Sequence, residues 1–261
     1  MSIKRLLVLL PLFLFFFVVV SHAEEQEEGK KEIRQPAELT IHAFPKNLKH
    51  NFMGLFRREN MTPLLLGVDT TEAVYTFDDR VRNYFRTHDT FHQEAKIGSF
   101  IGNYYVIGGA IGGLFLAGNF SHNQHFHSLT YALAQGYIIN NAWTNTIKFT
   151  IRRVRPDETN RRSFLSGHAS NAFMVAAILN HYYGYKAGIP AYAVAAFVGA
   201  SRVEKNRHFM SDVVAGATLG YVIGKTVAVH TTGTPQEPRT QWIPTFSPAR
   251  KEAGLALLVH F

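Results

Sequence analysis

The sequence predicts an all-α protein: a helical bundle with an irregular N-terminal extension and an extended C-terminal tail. Three observations carry this expectation. Small residues recur four apart in apolar stretches, as Gly98/Gly102 and Gly108/Gly112 between Ile97 and Phe120, and as Gly216/Gly220/Gly224 between Phe209 and Val229. That spacing puts them on one helical face, where they let two backbones approach closely. Pro156, Gly184 and Pro190 fall where helices should stop or start. No stretch alternates apolar and polar residues strongly enough to argue for a sheet.

The elements follow in order. Residues 1–23 read as a signal peptide, with Lys4-Arg5 as the basic start, an apolar run from Leu6 to Val20, and Ser21-His22-Ala23 as a small-x-small cleavage site. An uncleaved anchor is the alternative, although the run falls short of the ~20 residues that span a bilayer comfortably. Residues 24–37, rich in Glu, Gln and Lys, form a solvated linker. Residues 38–230 make the main folded unit. From Leu39 to about Arg86, short apolar runs interrupted by turn residues and Asp78-Asp79 predict short helices beside the bundle. Ile97 to Phe120 carries no charge and seven glycines, and predicts a helix buried on most of its circumference.

Ser121 to Ser128 concentrates His122, His125 and His127. No carboxylate accompanies them and their spacing does not share one helical face, so a loop with solvated histidines is expected rather than a metal site. A helix from about Leu129 to Arg153 then delivers Lys148 near its C-terminal end, and an arginine-rich loop follows. Ala169 to Tyr183, Ile189 to about Ser201 and about Phe209 to Val229 complete the bundle, the second being small and apolar enough to be buried. After His230 the Thr, Gly, Pro, Gln and Arg of residues 231–261 read as an extended tail, in which Leu255 to Val259 can add a short strand.

Composition removes several classes of chemistry. Cysteine is absent, so disulfides, thiolate metal sites and cysteine nucleophiles drop out. The formal charge is +8, and setting aside Lys4 and Arg5 leaves 25 basic against 19 acidic residues, or +6. Such a surplus suits an anionic substrate or membrane surface and is too diffuse to indicate nucleic acid.

The chemistry concentrates between Lys148 and Asp212. Six residues separate Lys148 from Arg155-Pro156; Ser166-Gly167-His168 follows, then Ser201-Arg202, and after five intervening residues His208, with Asp212 one turn beyond. Taken singly, each piece is ordinary: a basic helix end, a helix cap with a histidine, an i,i+4 polar pair. Together, three cations can hold the charge on phosphate oxygens while one histidine attacks and the other protonates a departing alkoxide. Free N–H groups of a helix starting at Ser166 would also face an anion.

This ordered series resembles the type 2 phosphatidic acid phosphatase (PAP2) superfamily, which takes in bacterial non-specific acid phosphatases, lipid phosphate phosphatases and vanadium-dependent haloperoxidases. All three signature blocks are present over 148–212, with a helical core at about 100–230. One departure is Leu165, where the family usually has proline, which should loosen the turn. The resemblance implies a catalytic set of His208 as nucleophile, His168 as general acid and then base, and Asp212 accepting the Nδ1–H of His208. It implies a phosphate clamp of Lys148, Arg155, Ser166, Gly167 and Arg202, with no metal and no cofactor. The expected reaction is hydrolysis of a phosphomonoester or lipid (di)phosphate through a phosphohistidine, outside the cytoplasm. A vanadate-dependent haloperoxidase and a non-catalytic anion-binding protein are the rivals. The expected partner is a phosphorylated small molecule or lipid phosphate, with a membrane surface but no nucleic acid. Several apolar segments are shorter than ~20 residues and carry Gly, Asn or His. A periplasmic soluble or membrane-associated protein is therefore expected, with an integral membrane lipid phosphatase as the alternative.

Overall fold

The computed structural model describes residues 38–88, 91, 93–233, 240–247 and 252–259. The expected signal segment and linker, residues 1–37, lie outside the described residues. Helices dominate: α1 Phe44–Gly54, α2 Arg58–Tyr75, α3 Asp78–Thr87, α4 Glu94–Ile101, α5 Tyr104–Asn119, α6 Gln124–Ile151, α7 Gly167–Tyr183, α8 Tyr185–Glu204 and α9 Met210–Thr232. The all-α bundle expected from the sequence is the one observed.

Helix α9 is the axis of the bundle. It packs along α7 and also touches α2, α6 and α8. The glycine stripe explains how close the α7 contact is. A Cβ added at Gly216, Gly220 or Gly224 would overlap the backbone carbonyl oxygen of Ser166, Ser170 or Met174 in turn. Around this contact Phe173, Met174, Ile178, Tyr192, Val213, Val222 and Val227 are at most 1% exposed. Each large apolar side chain buried in this way contributes roughly 1.5–3 kcal/mol.

Several boundaries differ from expectation. The residues before Arg86 form three regular helices, the second 18 residues long, because their apolar positions lean on α9 and α6 instead of closing on themselves. Helix α6 begins at Gln124, where the Asn123 side chain accepts the Phe126 N–H. His125 and His127 therefore lie in its first turn, and their rings pack against Tyr182, Tyr183 and Tyr131. Helix α8 starts at Tyr185, with Pro190 inside it, and buries only one face: Ile189 and Val194 stay exposed.

The stretch Ile97–Phe120 departs most. It breaks at Gly102-Asn103 into α4 and α5, bent by 47°, and Asn103 caps α5 by accepting the Tyr105 N–H. Instead of being buried on most sides, α5 buries only Ile111 and Gly118. Phe100, Tyr105, Leu116 and Phe120 are 63–83% exposed. Among the described residues, α9 alone is long and apolar enough to cross a membrane as a single helix, and it is mostly buried in the bundle. The bent α4–α5 pair passes the same test if taken together. Beyond α9, strands β1 Thr240–Ser247 and β2 Glu252–Val259 pair antiparallel, with Ile243 opposite Ala256. The tail thus holds a two-stranded ribbon, with β2 containing the short strand expected at Leu255 to Val259.

Candidate active site

The eight residues singled out in the sequence come together where the ends of α6, α7, α8 and α9 meet. Lys148 lies in the last turn of α6, buried to 9% exposure. Its ammonium donates to the carbonyl oxygens of Arg162 at 2.9 Å and of Leu165. The turn before Ser166 is therefore tied down in spite of Leu165 standing in place of proline, and Leu165 itself is buried. Burial, then the nearby Arg155, lowers the Lys148 pKa to about 7.

Helix α6 ends at Arg152, whose left-handed φ of 51° turns the chain into the loop carrying Arg153, Arg155 and Pro156. Ser166 caps α7: its backbone N–H donates to the Asp212 carbonyl at 2.8 Å, and its hydroxyl accepts the Ala169 N–H at 3.4 Å. Gly167 and His168 open the helix, so their N–H groups belong to the first turn, which has no intrahelical acceptor. Arg202 sits in the last turn of α8 and is held by the Ser99 hydroxyl of α4 at 2.9 Å. Among the described residues, the Nε atoms of Arg155 and Arg202 are buried without a hydrogen-bond partner. Burying such donors is costly unless something accepts from them, and an oxyanion is their natural acceptor.

The two histidines face this cationic surface. Burial pushes the His168 pKa down to about 3, with Arg202, His208, Arg155 and Lys148 adding to the effect. His208 falls to about 4, again chiefly by burial, while Asp212 opposes the drop. Both imidazoles are neutral near pH 7. His208 precedes α9 and is not part of it, since Phe209 is the N-cap. Its Nδ1 lies 2.7 Å from the Ser163 carbonyl oxygen and 3.8 Å from Asp212 Oδ2. A carbonyl can only accept, so Nδ1 carries the proton and Nε2 keeps its lone pair. The expected direct Nδ1–H bond to Asp212 is thus replaced by one to the Ser163 carbonyl, because the carboxylate is engaged elsewhere. It accepts from the Phe209 N–H at 2.9 Å, from the Ser163 hydroxyl at 2.5 Å and from Arg153 at 2.8 Å.

Sequence reasoning passed over several residues of this network. Arg153 counted only as one of a crowd of arginines, and Ser163, Ser211, Ser99 and Asp78 carried no local signal. Among the described residues no group of three metal-ligating side chains converges.

The fold and site define a helical bundle in which three cations gather around two neutral histidines. Residues 127–233, less than half of the chain, match the family model of the PAP2 superfamily. The chain is 37% identical over 95 residues to the lipid A 1-phosphatase of Porphyromonas gingivalis, covering 35% of this chain and 21% of that relative's length. Among solved structures it is similar to a transmembrane PAP2-type phosphatidylglycerolphosphate phosphatase from Bacillus subtilis. That likeness has 20% identity and a TM-score of 0.49, covering 71% of this chain and 92% of the other. The LpxE protein of Aquifex aeolicus is similar at 21% identity and a TM-score of 0.45, covering 56% and 92%.

Proposed function

We propose that the protein is a membrane-associated phosphatase that hydrolyses the phosphate ester or diphosphate of a lipid through a phosphohistidine at His208. The observation that carries this reading is a set of three cations, buried Lys148 and Arg202 with half-buried Arg155, around a histidine fixed as the Nδ1–H tautomer; among the described residues the Nε donors of both arginines have no partner. Neutral Nε2 attacks phosphorus as the P–O bond to the leaving group breaks. Lys148, Arg155 and Arg202 hold the nonbridging oxygens, with the Ser166 hydroxyl and the Gly167 N–H beside them. Protonated His168 gives its proton to the departing alkoxide or phosphate oxygen. As a neutral base it next takes a proton from the water that attacks the phosphohistidine, which releases inorganic phosphate and restores His208.

His168 needs its proton at the moment of transfer, although burial first, and then the cations around it, hold its pKa low. A phosphate dianion offsets those same cations, so substrate itself raises the His168 pKa. Asp212 stabilises the imidazolium that grows on His208 through space at 3.8 Å.

A lipid as substrate is supported by the exposed apolar surface of α4 and α5, which adjoins the site. Ser99 of α4 holds Arg202, and a Cβ on Gly102 would meet the His168 side chain. The Porphyromonas gingivalis relative, a lipid A 1-phosphatase, points the same way. The catalytic unit on this reading is residues 38–230. Residues 1–23 supply an export signal by their composition, which puts the site outside the cytoplasm.

Incubation with a 32P-labelled substrate followed by alkaline denaturation should trap an acid-labile phosphoprotein in the wild type and none in His208→Ala. Label retained by His208→Ala would overturn the assignment. Comparing p-nitrophenyl phosphate, phosphatidate, an isoprenyl diphosphate and lipid A as substrates tests the lipid part. A preference for the soluble ester would remove it.

A further inference from the structure

Arg153 lies in the signature stretch and Asp78 far upstream of it, on α3. The Arg153 guanidinium forks between two helices: one nitrogen donates to Asp78 Oδ2 at 2.8 Å, the other to Asp212 Oδ1 at 2.8 Å and to the Ser211 hydroxyl at 2.8 Å. Its Cζ also lies over two rings, 4.0 Å from the Phe209 centroid and 4.9 Å from that of Tyr75. Asp78 also accepts the Ser211 N–H at 3.0 Å and the Ser211 hydroxyl, so it fixes the first turn of α9 as well as the arginine. Asp212 passes the constraint on through the Ser163 hydroxyl, and the Ser163 carbonyl holds His208 Nδ1.

We propose that Asp78 and Arg153 are positioning residues for the reaction at His208, acting through Asp212 and Ser163. The inference rests on the phosphohistidine reading above and adds to it a requirement for α3. The charges give the reason for two acids. Arg153 alone would neutralise Asp212 and leave His208 facing Lys148, Arg202 and His168 with no net negative charge to stabilise an imidazolium. Asp78 restores that negative charge, while the bidentate fork fixes where Asp212 and Ser163 stand. A lysine in place of Arg153 keeps the charge and loses the fork.

The test uses the full chain carrying Asp78→Asn, Asp78→Glu or Arg153→Lys, with Asp79→Asn on the exposed side of α3 as control. Two readouts are taken on variants that retain the wild-type unfolding transition: turnover of the best substrate, and the His208 tautomer by 15N imidazole NMR near neutral pH. Expected for Asp78→Asn and Arg153→Lys is a drop in kcat of about 10- to 100-fold with KM within about twofold, the signature of misplacement without lost binding. Both should also lose the Nδ1–H tautomer at His208. Asp78→Glu should recover part of each, and Asp79→Asn should change neither. Wild-type kcat and tautomer in folded Asp78→Asn or Arg153→Lys would overturn the proposal, as would a loss confined to KM. Should Asp78→Asn fail to fold, Arg153→Lys decides alone. If wild-type protein hydrolyses no phosphate ester, the phosphatase reading fails, and the tautomer measurement still decides whether Asp78 positions His208.

Discussion

Among protein groups alone, Lys148 sits near its titration midpoint at about pH 7, because burial and Arg155 oppose its charge. A phosphate dianion adds two negative charges to the same space and favours the ammonium. Binding of inorganic phosphate should therefore take up a proton above pH 7. Its affinity, measured by calorimetry from about pH 7 to 9, should fall as pH rises, by at most about tenfold per pH unit for a single coupled proton. An affinity flat across that range would remove Lys148 from the clamp. Arg202 is the sharper case, since among the described residues its Nε has no partner while one terminal nitrogen is anchored by Ser99. Loss of a charge-assisted contact is worth about 1.5–3 kcal/mol, so Arg202→Ala should lower kcat/KM by roughly 10- to 150-fold. Ser99→Ala should cost less, because it frees the guanidinium without removing it.

At the scale of elements, the glycines divide into two kinds that composition does not separate. Gly220 faces the Ser170 carbonyl, where a Cβ has no room, whereas Gly112 on exposed α5 has none of the described residues within 4 Å of where its Cβ would be. Alanine at Gly112 should gain up to about 1 kcal/mol from helix propensity. At Gly220 the same gain is outweighed by overpacking of about 1–3 kcal/mol. Thermal unfolding of the two variants should move in opposite directions, and equal shifts would deny the close α7–α9 approach. The sequence made α7, α9 and the signature positions legible, because Ser166 to His168 and His208 to Asp212 are chemically distinctive at short range. It did not reveal the break at Gly102, since a charge-free glycine run reads alike whether buried or exposed. Nor could it pair Arg153 with Asp78, because no local pattern links residues so far apart in the chain. The displacement of Asp212 from His208 Nδ1 was hidden for a related reason: i,i+4 spacing implies contact only inside a helix, and His208 stands before one.

For the whole molecule, buried histidines make acid the weak side. His168, His208 and His230 are held at about 3, 4 and 4 against 6.5 for the free side chain. As pH falls from 6.5 towards 4, the unfolded chain binds protons at these sites that the folded chain refuses, so unfolding free energy falls with pH. Asp212, whose carboxyl is kept below its usual range, contributes stability above pH 3.8 that is lost on further acidification. The melting temperature should therefore decline steadily on acidification below pH 6.5, and saturating inorganic phosphate should raise it at each pH by binding only the folded state. A melting temperature constant between about pH 4 and 6.5 would contradict the buried, neutral state of the imidazoles.

Asp78 also bears on how this fold can be cut and recombined. The stretch that matches the family begins at residue 127 and its signature blocks at 148, yet the first turn of α9 is capped from α3, by a carboxylate upstream of both. The signature is thus not a portable cassette. Grafted onto a foreign N-terminal half, it would bring its own cations and histidines but leave the Ser211 N–H and one arm of Arg153 for the new host to satisfy. Chimeras that swap the segment before residue 127 among relatives should tolerate exchange only where the incoming partner presents an acid at the place of Asp78.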